Sequence, residues 1–178
     1  MKKIIMFLWV AIASISCSDD DKVTPPAAET NTMKIINKNT GAEIKDGDVV
    51  VFTTALAGVN DANSLKFYFS NVSSAPIKVR SRFVSLSGVP NANNVQYCIG
   101  DNCLTSIAVG ANYPVSNQEV LTVPANGKLG DIEQYKIQNF ATPVAPATAV
   151  DYVFEFYQYD DNGNEVGNKV RFTYRYQQ

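Results

Sequence analysis

Apolar and polar residues alternate along most of the chain with a period of two, the pattern of a β-strand that buries one face. In the C-terminal segment, Val170, Phe172, Tyr174 and Tyr176 alternate with polar or charged residues. Such runs are separated by Asn, Gly, Ser and Pro, and no convincing helix follows residue 33. Strands are predicted at 49–56, 65–70, 77–86, 95–99, 104–109, 119–123, 132–140, 152–159 and 169–176. This spacing predicts an all-β, antiparallel two-sheet sandwich over residues 33–178.

The first 16 residues predict a lipoprotein signal peptide rather than a part of the fold. Lys2 and Lys3 precede the apolar run 4–15, which is too short to span a bilayer core of about 30 Å. A small residue, Ser16, follows this run and directly precedes Cys17. We therefore predict cleavage before Cys17 and acylation of its thiol, with ordinary cleavage and a free thiol as the alternative.

The residues after Cys17 carry a second targeting pattern. Ser18, Asp19, Asp20 and Asp21 resemble the acidic export signal of Bacteroidota surface lipoproteins. The resemblance implies a protein that is lipid-anchored in the outer membrane and exposed on the cell surface; the alternative is the start of a solvated tether. Residues 17–32 are rich in Asp, Thr, Pro and Ala, so a flexible tether is predicted here.

Composition excludes several classes of function. The chain has 178 residues, room for one domain behind a tether. It contains no histidine, which removes His-based triads and imidazole zinc sites. Its net charge of −2 gives no attraction to nucleic acid. No cofactor is predicted, because the sequence has no phosphate loop, nucleophile elbow or dinucleotide fingerprint.

Three segments occur in a characteristic order: 71–79 (NVSSAPIKV), 97–103 (YCIGDNC) and 121–127 (LTVPANG). Together they resemble the immunoglobulin-like domains common in secreted and surface proteins of the Bacteroidota. The resemblance covers the chain from about residue 65 to its end, and implies a single immunoglobulin-like antiparallel β-sandwich. It implies no activity, because the family is mostly uncharacterised. Many relatives carry an aromatic residue between the cysteines, where this chain has Ile99.

Cys98 and Cys103 bracket a predicted hairpin turn. In an exported protein such a pair predicts a disulfide, and the spacing is not that of a redox motif. A free or redox-active pair is the alternative. If the disulfide forms, it also fixes a candidate binding loop, since a rigid loop binds at a smaller entropic penalty. The candidate contact residues are Ile99, Gly100, Asp101 and Asn102.

Residues 160–165 (DDNGNE) cluster oxygen ligands at alternate positions, as a calcium loop does. The glycine is misplaced for an EF-hand, and Arg171 stands where the bidentate Glu belongs. Asn, Asp and Gly are also the residues that a hairpin turn requires. A plain turn is therefore the favoured interpretation, and no metal site is predicted.

Basic side chains share one face of two predicted strands. If these strands are neighbours, the cations form a basic patch suited to an anionic glycan or an acidic partner. The alternative is a solvated sheet face whose charges discourage edge aggregation. The residues concerned are Lys78, Arg80, Arg82, Arg171 and Arg175.

The aromatic residues are expected mostly in the core. Those chosen as candidates for exposure, and so for contact with a sugar or a protein, are Tyr68, Tyr113, Tyr157 and Tyr159.

Catalysis by two carboxylates is the remaining enzyme hypothesis. The available residues are Glu119, Glu133, Asp151 and Glu155, and their spacing selects no pair. The chain is therefore predicted to be no enzyme but a surface-anchored binding or adhesion lipoprotein, with a protein or a glycan as ligand. The alternative is an accessory subunit of an outer-membrane assembly that docks through a sheet edge or loops.

Overall fold

The computed structural model of the protein describes residues 31–53, 61–115, 119–131 and 135–178. The predicted signal peptide, Cys17, the acidic residues after it and the tether up to residue 30 lie outside the described residues, as does Glu133. Predictions about them stay predictions. Among the described residues, no helix has the length and apolar character needed to cross a membrane.

The regular structure of the described residues consists of thirteen β-strands. In chain order these are β1 (Met33–Asn37), β2 (Glu43–Ile44), β3 (Val49–Phe52), β4 (Ser64–Asn71), β5 (Ile77–Ser87), β6 (Val95–Ile99), β7 (Asn102–Leu104), β8 (Asn112–Tyr113), β9 (Leu121–Val123), β10 (Lys128–Leu129), β11 (Lys136–Asn139), β12 (Ala149–Tyr159) and β13 (Glu165–Gln177).

These strands form two sheets. The first has the order β2-β1-β4-β11-β6-β7, with β10 also paired to β4. The second has the order β3-β13-β12-β5-β8, with β9 also paired to β5. The pairs are antiparallel except for β3, which runs parallel to β13. The arrangement is an immunoglobulin-like β-sandwich, and it confirms the predicted fold class.

Aromatic rings fill the space between the two sheets. Phe67 and Phe69 of β4 meet the edge of Phe156 of β12, with ring centroids 5.3 and 5.4 Å apart. Phe156 stacks in turn on Phe172 of the neighbouring strand at 5.6 Å. All four rings are almost completely buried. Each such ring removes roughly 150–250 Å² from water, so this contact stabilises the packing of the two sheets.

Strand register defines two ends of the sandwich. At the Met33 end, Met33 pairs with Asn71 at the close of β4. At the Phe140 end, Ser64 at the start of β4 pairs with Gln138, and Val95 pairs with Asn139, the residue before Phe140. The length of β4 separates these two ends by roughly 23 Å.

An irregularity in β13 ties the two sheets together at the Met33 end. The register between β12 and β13 shifts after Tyr157, so that Gly167 and Asn168 have no backbone pairing partner on β12. The Asn168 side chain then bonds to the backbone of Met33, accepting from its N–H at 3.1 Å and donating to its carbonyl at 2.8 Å. The Asn168 side chain thus forms the two hydrogen bonds that a backbone partner of Met33 would form, and it links the two sheets.

Some strand predictions were wrong in extent. The predicted strand at 104–109 ends at Leu104, because the N–H of Ile107 bonds to Ala92 and that of Gly110 bonds to Phe83 of the other sheet. Strands β1, β2, β8 and β10 were not predicted. Three of these have only two residues, too few to show alternation.

Candidate functional site

The predicted basic residues do lie on one outer face, because β12 pairs with both β5 and β13. However, β12 places carboxylates directly between them. Glu155 accepts a hydrogen bond from Arg82 at 3.0 Å and another from Arg171 at 2.6 Å. Asp151 accepts two from Arg175, both at 2.7 Å. The arginines are therefore engaged within the protein.

The other cations of this face are also engaged. Lys78 forms an ion pair with Asp161. The Arg80 guanidinium lies 4.6 Å from the ring centroid of Tyr159. Arg82 makes a second ion pair with Glu165, and this bond raises the pKa of Arg82. The face is a mixed-charge surface rather than a basic patch, so it gives an anionic ligand little net attraction.

The tyrosines on this side are covered by the same arginines. Arg80 lies over Tyr159 and Arg82 lies over Tyr157 at 5.0 Å, and both rings are buried. Tyr113 is buried as well, and Tyr68 is half-buried beneath Lys128. The prediction that Tyr113, Tyr157 and Tyr159 are exposed was therefore wrong.

The described carboxylates offered for catalysis have structural partners. Asp151 and Glu155 are neutralised by the arginines of the outer face. Glu119 accepts a hydrogen bond from the backbone of Asp101 at 2.9 Å. In the described part of the chain, no group of three or more acidic or cysteine side chains is placed to hold a metal ion.

The disulfide between Cys98 and Cys103 is present, which confirms that prediction. The two residues face each other across β6 and β7, and Gly100 and Asp101 form the turn. Gly100 has a φ of +59°, and a Cβ there would lie 2.0 Å from a carboxylate oxygen of Glu119. The positive φ favours glycine here, and any larger residue would also displace the Glu119 carboxylate.

This hairpin presents few side chains to a ligand. Ile99, predicted as a contact residue, is completely buried in the core and cannot meet a partner. Gly100 has no side chain, and Asn102 is half-buried. Asp101 alone among the four loop residues is exposed. The geometry is that of a structural clamp between the hairpin and the segment before β9.

The segment 160–165 is a hairpin turn between β12 and β13. The Asp160 carboxylate accepts from the backbone of Asn162 at 2.9 Å and of Asn164 at 2.8 Å. These bonds, with one from the Asn164 side chain first among them, lower the pKa of Asp160. Glu165 is held by Lys169 and Arg82. The carboxylate oxygens of Asp160 and Glu165, which a calcium ion would need, are thus bonded to groups of the protein.

A feature that the sequence analysis missed lies at the Phe140 end. Phe140 follows β11 and is 53% exposed, the one aromatic residue among the exposed large hydrophobic residues of the described ranges. It borders a cleft of about 290 Å³. We call this the Phe140 cleft; its lining is Asn93, Asn94, Val95, Gln96, Thr105 and Phe140.

Buried hydrogen bonds hold Phe140 in place from behind. The Asn139 side chain accepts from the backbone of Ala141 at 3.1 Å and from the Tyr152 hydroxyl at 2.8 Å. Its backbone N–H donates to the Tyr174 hydroxyl at 3.2 Å, and Asn63 donates to its carbonyl at 2.7 Å. Burial raises the pKa of Tyr174, so the phenol stays protonated. The aromatic side chain is therefore displayed on a fixed backbone.

The sequence contains one signal for this feature. In the predicted strand 132–140, Tyr135 and Ile137 define the inward face, and both are buried. Phe140 falls on the opposite face, where alternation calls for a polar residue. A large aromatic residue out of phase at a strand end is the pattern that marks it.

Comparison with known proteins reveals only distant likeness. No protein-family model matches the chain. No curated protein matches it. Among solved structures, the N-terminal domain of PorA is similar at 18% identity and a TM-score of 0.48, covering 82% of this chain and 97% of that one. A PapD-like domain of human CEP192 is similar at 10% identity and a TM-score of 0.40, covering 98% and 96%.

We predict that replacing Cys98 and Cys103 by Ser lowers the free energy of unfolding by about 2 kcal/mol, because a disulfide restricts the unfolded chain and this loop is short. For a domain of this size the melting temperature falls by about 6 °C. Thermal denaturation of the variant, and of the wild type with and without reductant, measures the effect. Reduction that leaves the wild-type melting temperature unchanged contradicts the prediction.

We also predict that Glu155→Gln lowers the free energy of unfolding by about 2 kcal/mol, because Arg171 loses its counter-charge and Arg82 keeps only Glu165. The matched control is Glu43→Gln, which removes the partner of Lys34 in an exposed pair and has an effect of less than about 1 kcal/mol. Urea denaturation of both variants measures the difference. Equal losses would mean that Glu155 does not neutralise the face.

Proposed function

We propose that this protein is a non-catalytic binding lipoprotein, anchored in the outer membrane through Cys17 and displayed on the cell surface. The anchor and the address are supported by the signal-peptide pattern, Cys17 and the acidic residues Asp19, Asp20 and Asp21. The binding role is supported by the way the sandwich exposes its ends.

The position of Met33 gives the domain an orientation. The 14 residues 17–30 connect the proposed anchor to the first described residues, and extend over at most about 50 Å. They reach the fold at the Met33 end, where β1 begins. Because the tether joins the fold at the Met33 end, we propose that the Phe140 end, on the other side of the sandwich, faces away from the membrane.

A single observation carries the proposal: the end away from the tether displays the exposed Phe140 beside an open, uncharged cleft. A single exposed apolar residue is ordinary on a protein surface. Phe140 differs because it borders a cleft lined by hydrogen-bonding side chains, the combination that a ligand site requires. Val144, 56% exposed, lies in the loop that follows Phe140. The outer face of the second sheet, in contrast, uses its charges internally.

A second candidate function, an accessory subunit of an outer-membrane assembly, is favoured by the edge strand β3. Asp48 accepts from the backbone of Thr173, so in this register Val49 and Val51 direct their backbone groups away from β13. Both side chains are 48% exposed. An apolar edge without Lys or Pro is a template for a strand from another protein.

The other sheet edges are blunted. β2 and β8 have two residues each, and Pro114 follows β8. Pro124 follows β9, and the three-residue strand β7 is linked to β6 by the disulfide. Short strands and prolines are devices against edge pairing. In the described part of the chain, β3 is therefore the edge best suited to accept a strand.

A photocrosslinking experiment on intact cells tests the two functions. The full chain carries p-benzoylphenylalanine at Asn93 beside the Phe140 cleft, at Val51 on β3, or at Ser74 in the turn at the Met33 end as control; all three positions are exposed. We expect crosslinked products from position 93 and none from position 74. Cys17→Ala should release the protein from the membrane fraction.

The outcomes separate the hypotheses. Crosslinks from position 51 to one membrane protein that co-purifies in stoichiometric amounts would favour the accessory subunit. Crosslinks absent from both positions 93 and 51, or equal from 93 and 74, would contradict a binding role. Retention of the Cys17→Ala variant in membranes would contradict the lipid anchor.

A further inference from the structure

We propose that the Phe140 cleft is a binding site for neutral glycans; this inference rests on the proposed binding function and specifies its ligand. Three properties of the cleft lead to this class of ligand: its charge, its hydrogen-bonding groups and its aromatic wall.

Charge excludes ionic ligands. Among the described residues, no Lys, Arg, Asp or Glu lines the cleft, in contrast to the outer face of the second sheet. A phosphate, a uronic acid or a basic peptide would exchange its hydration shell for a site that offers no counter-charge. A neutral ligand incurs no such penalty.

Hydrogen-bonding groups remain available in the cleft. Asn94 and Thr105 line it and are exposed, and Gln96 lines it and is partly exposed. Within the described part of the chain their side chains make no hydrogen bond, whereas most other amides of the sandwich are engaged. Amides and hydroxyls both donate and accept, which suits the hydroxyl groups of a sugar.

The aromatic wall supplies the apolar contact. The Phe140 N–H donates to the Asn94 carbonyl at 2.8 Å, so the backbone of both residues is fixed where the ring leaves the surface. The C–H face of a pyranose ring is apolar and its rim is hydroxylated. In the cleft, the Phe140 ring can pack against the apolar face of the sugar, and the neighbouring amide side chains can bond to the hydroxyl groups on its rim.

A second, smaller cavity lies against Phe140. It has a volume of about 120 Å³, and its lining includes Asn63, Asn139 and Tyr176 without a charged side chain. Asn63 is 1% exposed, and its side-chain oxygen is buried without a hydrogen-bond partner. Because this oxygen is closed to solvent, a ligand does not contact it in this conformation. The cavity contributes an uncharged lining that extends the neutral surface beside Phe140.

The size of the cleft predicts a weak site. At about 290 Å³ and open to solvent, it accommodates one or two sugar units rather than a long chain. Single contacts of this kind bind in the millimolar range, and many anchored copies on one surface raise the avidity.

Saturation-transfer NMR tests the inference on the full lipoprotein, purified in lauryldimethylamine oxide so that no sugar detergent competes. The probes are maltoheptaose, cellohexaose, xylohexaose and mannohexaose, with a heparin hexasaccharide as the anionic control. We expect transfer to at least one neutral probe and none to heparin. Phe140→Ala should weaken binding at least tenfold, and Phe140→Trp should retain it.

Two further variants distinguish the cleft from a general loss of structure. Gln96→Ala removes one hydrogen-bonding group and should weaken binding several-fold. Val120→Ala changes an exposed apolar residue outside the cleft and should have no effect. Each variant should keep the wild-type melting temperature within about 2 °C, since all three side chains are wholly or partly exposed.

The result also separates this inference from the proposed function. No transfer to any neutral probe, or equal binding of heparin, overturns the neutral-glycan assignment, even if position 93 still crosslinks to a protein on cells. Neutral binding that survives Phe140→Ala places the glycan elsewhere and also overturns the assignment.

Discussion

The contact between aromatic rings of the two sheets is the interaction on which the rest of the structure depends. Phe67 and Phe69 from one sheet and Phe156 from the other meet edge to face at the centre. Rings of this size fill the space of about 10 Å between packed sheets. Polar links join the sheets at both ends, through Asn168 at the Met33 end and Asn139 at the Phe140 end, and the buried Tyr97 hydroxyl donates to Ser81 of the other sheet within the core.

The polar links at the two ends determine which surface of the sandwich is available to a ligand. Asn139 is buried by the fold, bonds to tyrosines of the second sheet and fixes the turn that exposes Phe140. On the outer face of β12, the predicted basic residues are neutralised by ion pairs within the protein. The disulfide hairpin is clamped by Glu119 and buries Ile99. The geometry therefore favours the Phe140 end over the sites chosen from residue type alone.

Alternation predicted the long strands well, because each has one buried face. Val170, Phe172, Tyr174 and Tyr176 are buried as their period of two requires, and β6 has the predicted bounds. Two-residue strands such as β8 carry no period and were missed. The disulfide was predictable because two cysteines bracketing a turn, in a chain predicted to be exported, have few other uses.

Pairing across strands was not predictable. The meeting of Arg82, Glu155 and Arg171 depends on register, and register depends on irregularities after Val153 and after Tyr157. A slip of one residue moves every side chain to the opposite face. The burial of Tyr157 and Tyr159 follows from the same register, because arginines of the neighbouring strand cover them. Phe140 could be found only by asking which aromatic residue breaks the alternation.

We propose that the domain stands on the membrane with its Met33 end inward and its Phe140 cleft outward. Energy transfer from a dye on the lipoprotein to acceptor lipids in reconstituted vesicles tests this orientation most directly. An azidophenylalanine at Asn93 or at Ser74 carries the donor, since both side chains are exposed. In the proposed orientation residue 93 lies farther from the bilayer by roughly 20 Å, so we expect clearly weaker transfer from it than from residue 74. Equal transfer from the two positions, or stronger transfer from residue 93, would contradict it.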